Sequence, residues 1–197
     1  MVCEIVVFRL NKQYFTHHLM ITTISEPTLG NWFPMEIVPS PGVLLTTIPR
    51  WFQQWSVEFE IKLTGPPKGE WTTVVHLTAT GANNDGPSAR VPMVHFHGSN
   101  NRPVVCSYVS GVKNKQFNIA KDWPTPEEDK WTKLIIKQEV VGGANTFSII
   151  MGGQVQFSVE NTTPLDLYNV EVWASDPWYP TPETLIRNLI LQTSSSM

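Results

Sequence analysis

The chain has 197 residues, of which 41% are hydrophobic and 16% charged, and its formal net charge is -3. This composition can bury a core and argues against disorder. The length suits one large all-β domain, so residues 1–197 are predicted to form a single domain. Nucleic-acid binding needs clustered Lys and Arg to neutralise phosphates, and the sequence has no basic stripe, so nucleic acid is not an expected partner.

The ends and the cysteines bear on the cellular compartment. No apolar run approaches the roughly 20 residues of a membrane span. The N-terminus has an acid at Glu4 and no basic segment, unlike a signal peptide. We therefore expect a cytoplasmic protein, or an extracellular one whose signal has been removed. Cys3 and Cys106 would form a disulfide in a secreted protein and two buried thiols otherwise, and the sequence leaves both readings open.

Segments rich in Val, Ile, Thr and aromatic residues are predicted as β-strands along most of the chain, whereas helical periodicity is nearly absent. In chain order these predicted strands are Glu4–Leu10, Tyr14–Thr23, Phe33–Val38, Val43–Ile48, Ser56–Leu63, Thr72–Ala79, Val91–His97, Val104–Val109, Gln116–Ile119, Thr132–Gln138, Thr146–Met151, Gln154–Val159, Tyr168–Ala174 and Leu185–Leu191. Gly-, Asn- and Pro-rich turn signals separate them. The clearest hairpin turn is Gly152-Gly153, which lies between two alternating runs.

The run from Trp55 to Leu63 alternates apolar and polar residues more regularly than any other segment. Since side chains on a strand point to opposite faces in turn, the apolar set is predicted to be buried and Glu58 and Glu60 to face outward. The buried set is Trp55, Val57, Phe59, Ile61 and Leu63. So many short strands exceed an immunoglobulin fold. The predicted fold is an all-β, two-sheet antiparallel β-sandwich of the jelly-roll type.

Six segments follow one another in an order that is typical of a known superfamily. They are Trp55–Ile61, Thr73–Thr78, Arg90–Phe96, Trp131–Ile136, Phe147–Val155 and Asn169–Ser175. This order resembles the concanavalin A-like lectin and laminin-G-like superfamily over roughly residues 44–191, and the tail from Ala174 resembles modules of invertebrate extracellular proteins. The resemblance implies a concanavalin A-like sandwich. That superfamily holds lectins, adhesion modules and enzymes. Its calcium-dependent lectins use a tight Asp/Asn cluster, which this sequence does not match.

Three histidines could form a metal site. His95 and His97 lie two apart on one predicted strand and so share a face, and His76 lies on a neighbouring strand. This spacing would suit zinc or copper. The alternative, which we favour because no acid or cysteine ligand is identifiable, is hydrogen-bonded or solvated surface histidines. The loop 83–85 could hold calcium through oxygen ligands, but Asn-Asp-Gly is by itself a strong turn signal. We therefore expect no metal and no cofactor.

Two carboxylates raise the question of catalysis. Glu58 and Glu60 share a strand face, as the acid and nucleophile of some glycosidases do. The same alternation, with Lys62 beside them, equally describes a solvated charged face without aromatics. The sequence therefore favours a protein that is not an enzyme, with a glycosidase as the enzymatic alternative.

Aromatic residues near the C-terminus supply the candidate ligand site. Trp173 falls on the polar phase of its strand, and Trp178 and Tyr179 lie with Asp176 in a loop bounded by prolines. Aromatic faces stack on sugar rings while an acid bonds to hydroxyls, and a few polar groups among aromatics are typical of ligand pockets. The alternative is that Pro-Trp-Tyr-Pro plugs one end of the sandwich. Separately, Asn161-Thr-Thr163 is an N-glycosylation sequon, which matters only in a secreted protein.

These observations favour a non-enzymatic binding module, lectin-like or acting in cell-surface or matrix adhesion, whose partner is a glycan or another small molecule. The predicted ligand-binding residues are Trp173, Asp176, Trp178 and Tyr179. Two alternatives stay open. One is a carrier of an apolar small molecule, such as a lipid or pigment, between the sheets. The other is a self-assembling domain that forms a homo-oligomer through exposed apolar residues or an edge strand.

Overall fold

The computed structural model describes residues 29–66, 69–84, 86–98, 102–118 and 129–195. Within these ranges the chain forms β-strands and no helix, so no helix there could cross a membrane. The strands are β1 Leu29–Phe33, β2 Leu44–Trp51, β3 Gln54–Leu63, β4 Trp71–Thr78, β5 Met93–His97, β6 Pro103–Val109, β7 Val112–Asn118, β8 Thr132–Val141, β9 Ala144–Met151, β10 Gln154–Glu160, β11 Leu167–Trp173 and β12 Thr184–Ser194. The predicted strands Glu4–Leu10 and Tyr14–Thr23, and Cys3, lie outside the described residues.

The strands form two antiparallel six-stranded sheets. The first has the order β1-β12-β3-β8-β9-β10, and the second has the order β2-β11-β4-β5-β6-β7. Five of the ten neighbouring strand pairs are distant in sequence, because the chain crosses repeatedly from one sheet to the other, as in a jelly roll. The predicted all-β, two-sheet antiparallel sandwich is confirmed.

Strand β3 lies inside the first sheet and supplies one wall of the core. Its apolar residues are all buried, with Val57 and Ile61 at 0% exposure, and its polar residues are half-buried on the other face. The predicted register is therefore confirmed. Inward side chains of the second sheet, among them Val75, Leu77 and Phe96, pack against this wall.

Paired glycines close two of the hairpins. Gly152 and Gly153 have φ of 58° and 80°, and Gly142 and Gly143 have φ of 59° and 85°. A two-residue turn of this type needs positive φ at both positions, which glycine adopts without steric cost. The hairpin predicted between β9 and β10 is thus confirmed, and β8 and β9 are joined in the same way.

Two strands differ from their predicted bounds by four residues or more at one end or both, and the other described strands agree with theirs to within three residues. The strand predicted at Phe33–Val38 is wrong: β1 ends at Phe33, and beyond it Ile37 makes only an isolated bridge to Ile186. Pro34 has no backbone N–H to donate, which explains the stop. Strand β7 starts at Val112, four residues before its predicted start at Gln116.

The second sheet departs from simple alternation at its centre. Every residue of β4 from Thr72 to Thr78 is buried, and so are the first four residues of β5. A strand buried on both faces must have something packed on its outer face as well as on the core side. The outer face of the second sheet, the one turned away from the first sheet, is therefore covered, and the candidate site lies there.

Candidate functional site

The outer face of the second sheet carries an unusual set of side chains for a surface. His76 pairs with Met93 and Met93 with Cys106, so these three side chains lie side by side. Met93, Val104 and Cys106 form a small buried cluster with Tyr179, separate from the main core. Tyr179 therefore reaches over β5 and β6 and closes this part of the face.

The segment that covers this face is the loop Ser175–Pro180, which follows β11. At its start the N–H of Ser175 donates to the carbonyl of Val74, at 3.0 Å. At its end the carbonyl of Pro180 accepts from the N–H of Thr73, also at 3.0 Å. Both ends are thus fixed to β4, and the residues between them fold over the sheet.

Asp176 anchors this loop from within. Its side chain is fully buried; Oδ2 lies 2.8 Å from His76 Nδ1, and Oδ1 accepts the N–H groups of Trp178 at 3.0 Å and Tyr179 at 2.9 Å. Burial alone would raise the pKa of Asp176. The hydrogen bond to His76, the charge of His76 and the two backbone N–H groups outweigh burial and hold that pKa below its usual range. Asp176 therefore contributes to the candidate site by holding the loop, and a ligand would meet the residues around it.

The predicted aromatic residues do come together above this anchor. Trp173, Trp178 and Tyr179 are all half-buried. The Trp178 ring lies 5.7 Å from the His76 ring, at 66°, and 6.4 Å from the Trp173 ring, at 60°. Two indoles thus stand near each other on the outer face, with part of each accessible to solvent.

Glu171 is a neighbour of these aromatics that was not among the predicted site residues. The indole N–H of Trp173 donates to Glu171 Oε2 at 3.2 Å, since both side chains lie on the same face of β11. The two-residue spacing on the strand was the available signal. The arrangement places a carboxylate beside an aromatic face.

The buried Asp–His pair resembles half of a catalytic triad, but its geometry is unsuitable for that chemistry. In a triad the second ring nitrogen faces the hydroxyl of the nucleophile. Here His76 Nε2 lies 2.7 Å from the carbonyl oxygen of Ala89, and the ring is fully buried. The second ring nitrogen is therefore engaged by a backbone carbonyl, and the pair holds structure in place.

The other two candidate metal ligands pack against a tryptophan. The ring centroids of His95 and His97 lie 4.6 Å and 4.1 Å from that of Trp71, so they share a face as predicted. His95 is buried, with both ring nitrogens 3.9 Å from Cys106 Sγ. Burial, with a smaller effect from the charge of Arg90, lowers the pKa of His95 to about 3, so its ring is neutral. Among the described residues, no three His, Cys, Asp or Glu side chains are grouped closely enough to hold a metal.

The loop 83–85, considered above as a calcium site or a simple turn, contains a turn at Asn84. The N–H of Gly86 donates to Asn84 Oδ1 at 2.8 Å, and this side-chain contact to the backbone two residues on closes an Asx turn. Asp85 lies outside the described residues. The oxygen of Asn84 is thus used to shape the loop.

The two candidate catalytic carboxylates are paired with cations on the outer face of the first sheet. Lys133 Nζ lies 2.8 Å from Glu58, and Arg187 contacts both oxygens of Glu60, at 2.8 and 3.2 Å. The hydrogen bond from Arg187, followed by that from Asn188, holds the pKa of Glu60 below its usual value although partial burial opposes the shift. A glycosidase acid needs a raised pKa, so Glu60 is unsuited to that role.

A polar groove lies next to these charges on the first sheet. Its volume is about 340 Å³, and its lining includes Gln54, Ser56, Glu58, Lys137, Glu139 and Gln192. Lys137 pairs with Glu139 at 2.5 Å. This groove offers hydrogen-bonding groups without an exposed aromatic surface, unlike the outer face of the second sheet.

No family model and no curated protein matches this chain. Solved structures do. The SAP-like pentraxin of Limulus polyphemus matches with a TM-score of 0.50 and 11% identity, covering 82% of this chain and 75% of that one. Domain 4 of AbnA, a GH43 extracellular arabinanase from Geobacillus stearothermophilus, matches with a TM-score of 0.48 and 15% identity, covering 84% and 82%.

The receptor binding domain of botulinum neurotoxin type G matches with a TM-score of 0.47 and 13% identity over 84% of this chain, which spans 40% of the length of that domain. At such identities the likeness shows the fold alone. The concanavalin A-like sandwich is thus shown as a fold that this chain shares with the pentraxin, while membership of the superfamily stays a prediction.

Proposed function

We propose that this chain is a non-enzymatic module that binds a glycan on the outer face of its second sheet. The observation that carries the proposal is the group of Trp173, Trp178 and Tyr179, three half-buried aromatic side chains brought onto one face by β11 and the loop Ser175–Pro180. The central strands β4 and β5 are covered, and these residues stay partly accessible beside them.

The chemistry of this group suits a sugar. An indole face packs on the apolar side of a pyranose ring, and a carboxylate such as that of Glu171 accepts hydrogen bonds from hydroxyls. The loop is also ordered before a ligand arrives, because Asp176 holds two of its N–H groups and Pro177 and Pro180 restrict its backbone. A loop that is already ordered loses less entropy on binding.

The charged groups support binding rather than catalysis. Glu58 and Glu60 are neutralised by Lys133 and Arg187, and His76 is enclosed between Asp176 and a carbonyl group. Each of these groups has a partner that stabilises the fold. An adhesion role, with an extracellular location, is the biological setting we propose for such a module.

The test compares three tryptophan variants against a panel of neutral oligosaccharides by glycan array, followed by calorimetry on any glycan that binds. Trp173→Ala and Trp178→Ala should each weaken binding by on the order of 1–3 kcal/mol, the scale of one aromatic anchor. Trp32→Ala is the matched control, because Trp32 is 52% exposed and lies on β1 of the other sheet.

The plug reading predicts the opposite pattern. If Trp178 only closes the fold, Trp178→Ala will lower the melting temperature strongly while folded material keeps its affinity. A panel that gives no binding to wild type, or equal losses for Trp32→Ala and Trp178→Ala, would overturn the proposed site.

A cavity among the described residues, lined by side chains of both sheets, is too small for the ligand of a carrier. The cavity beside Trp51 and Trp55 has a volume of about 10 Å³. That is room for one water, whereas sites for small molecules measure several hundred Å³.

Self-association is a second candidate, supported by apolar residues at the two edges of the outer face of the first sheet. Trp32 on β1 pairs with Ile190, and at the far edge Ile150 pairs with Val155 on β10. Trp32 and Val155 are 52% and 53% exposed. Exposed apolar residues on edge strands favour contact between copies. An elution volume that depends on concentration, and that Trp32→Lys makes constant, would support a homo-oligomer.

A further inference from the structure

We propose that His76 is a buried imidazolium, and that its charged pair with Asp176 locks the loop Ser175–Pro180 in place. The protonation state of His76 is inferred from the hydrogen-bond partners of its two ring nitrogens. The consequence for ligand binding rests on the proposed function.

The geometry places an acceptor at each end of the ring. Nδ1 faces Asp176 Oδ2 at 2.8 Å, and Nε2 faces the carbonyl oxygen of Ala89 at 2.7 Å. A carbonyl oxygen only accepts, so Nε2 must carry a proton. A carboxylate also only accepts, so Nδ1 must carry one as well. A ring with both protons is an imidazolium.

The one other assignment gives the second proton to Asp176, which would then donate to a neutral ring. The surroundings of the carboxyl group oppose it. Oδ1 already accepts the N–H groups of Trp178 and Tyr179, and hydrogen bonds of this kind stabilise the ionised form. The lowered pKa of Asp176, in which these bonds and His76 outweigh burial, points the same way.

The pair itself carries one charge of each sign, and Arg90 and Glu171 are the further charged groups around it. The ionisable groups on the elements packed around His76 are Arg90 before β5, His95 and His97 on β5, Cys106 on β6, Glu171 on β11 and Tyr179 in the loop. His95 is neutral, since its pKa is lowered to about 3, mainly by burial. It therefore adds no second positive charge beside His76.

Loss of either charge should loosen the loop. As pH falls, the depressed pKa of Asp176 means that its contribution, complete above the unfolded value of about 3.9, is lost when the carboxyl group is protonated. The loop is therefore expected to loosen in acid.

The substitution Asp176→Asn removes the negative charge and keeps the hydrogen bonds, so it tests the charge alone. The Asn oxygen can still accept from Trp178 and Tyr179, and its NH₂ can donate to Nδ1 of a neutral His76 that keeps its Nε2 proton for Ala89. Every hydrogen bond is retained and the charged pair is removed. This variant should fold, and its His76 should be neutral.

The experiment is NMR of the whole protein with ¹⁵N-labelled histidine, with the His76 signals assigned by their loss in His76→Gln. At neutral pH both ring nitrogens of wild-type His76 should carry a proton, whereas in Asp176→Asn only one should. Hydrogen exchange of the Trp178 and Tyr179 backbone N–H groups, measured at neutral pH, should be faster in Asp176→Asn than in wild type, because the charged pair that holds the loop is lost.

A bare ring nitrogen on wild-type His76 at neutral pH would overturn the inference, even if Asp176→Asn fails to fold. Equal exchange rates for wild type and Asp176→Asn would overturn the lock. With a bound oligosaccharide, affinity should fall by roughly tenfold from wild type to Asp176→Asn. If both protons are found and no glycan binds, the imidazolium stands and the proposed function fails.

Discussion

Asn161 shows how strongly the fold constrains a residue that the sequence marks for modification. Its side chain is 3% exposed. Nδ2 donates to Gln138 Oε1 at 2.6 Å, and Oδ1 accepts the N–H groups of Ser110 at 2.7 Å and Thr163 at 3.2 Å. The amide therefore connects β8, the β6–β7 turn and the end of β10. A glycan on Nδ2 would need space that this packing does not provide.

The cost of removing this amide can be estimated from its partners. In Asn161→Ala the oxygen of Gln138, a residue only 3% exposed, loses its donor, which costs about 1–3 kcal/mol. The N–H of Ser110, which is half-buried, adds about 1 kcal/mol, while that of exposed Thr163 can bind water instead. We expect a loss of about 2–4 kcal/mol in the free energy of unfolding, measured by urea denaturation.

Thr163→Ala is the matched control, because it destroys the sequon while the backbone N–H that Asn161 binds remains. Its free energy of unfolding should stay within about 0.5 kcal/mol of wild type. Secreted from a glycosylating host, wild type should have an unmodified Asn161 by peptide mass, with the same yield as Thr163→Ala. A folded, stable wild-type protein that carries a glycan on Asn161 would refute this reasoning.

Three further predictions concern the frame of the sandwich. Phe59→Ala should lower the free energy of unfolding in urea by about 3–5 kcal/mol because Phe59 is 1% exposed, and a loss as small as that of neighbouring Glu58→Ala would contradict the register. Arg187→Ala should raise the pKa of Glu60 toward its usual value, which NMR of the carboxyl group can measure. Because the wild-type pKa is lowered, the ion pair stabilises the fold above the unfolded pKa of Glu60, and this contribution is lost in acid. Unfolding measurements below about pH 5 should show that loss in wild type and not in the variant. Gly153→Ala should destabilise by about 1–2 kcal/mol because φ is 80°, and Gly153→Asn, better tolerated at positive φ, should recover part of that loss in thermal unfolding.

Local patterns in the sequence determined the frame of the molecule. The alternation from Trp55 to Leu63 predicts which face of β3 is buried, because the period of two is a property of the strand itself. The pair Gly152-Gly153 predicts a tight turn, because the turn needs a backbone conformation that other residues avoid. The two-sheet sandwich followed from such signals repeated along the chain.

The tertiary structure decided what each face does. Sequence alternation does not predict burial on the outer faces of β4 and β5, because the loop Ser175–Pro180 covers that side of the sheet. His76 and His95 are therefore buried, although hydrogen-bonded or solvated surface histidines were expected. Asp176 and His76 are 100 residues apart in sequence. They meet because the strand order places β11 next to β4, and no local period encodes that order. Composition and spacing were enough to predict the aromatic residues of the candidate site. The buried charge pair beneath them depends on contacts that exist only after the chain has folded.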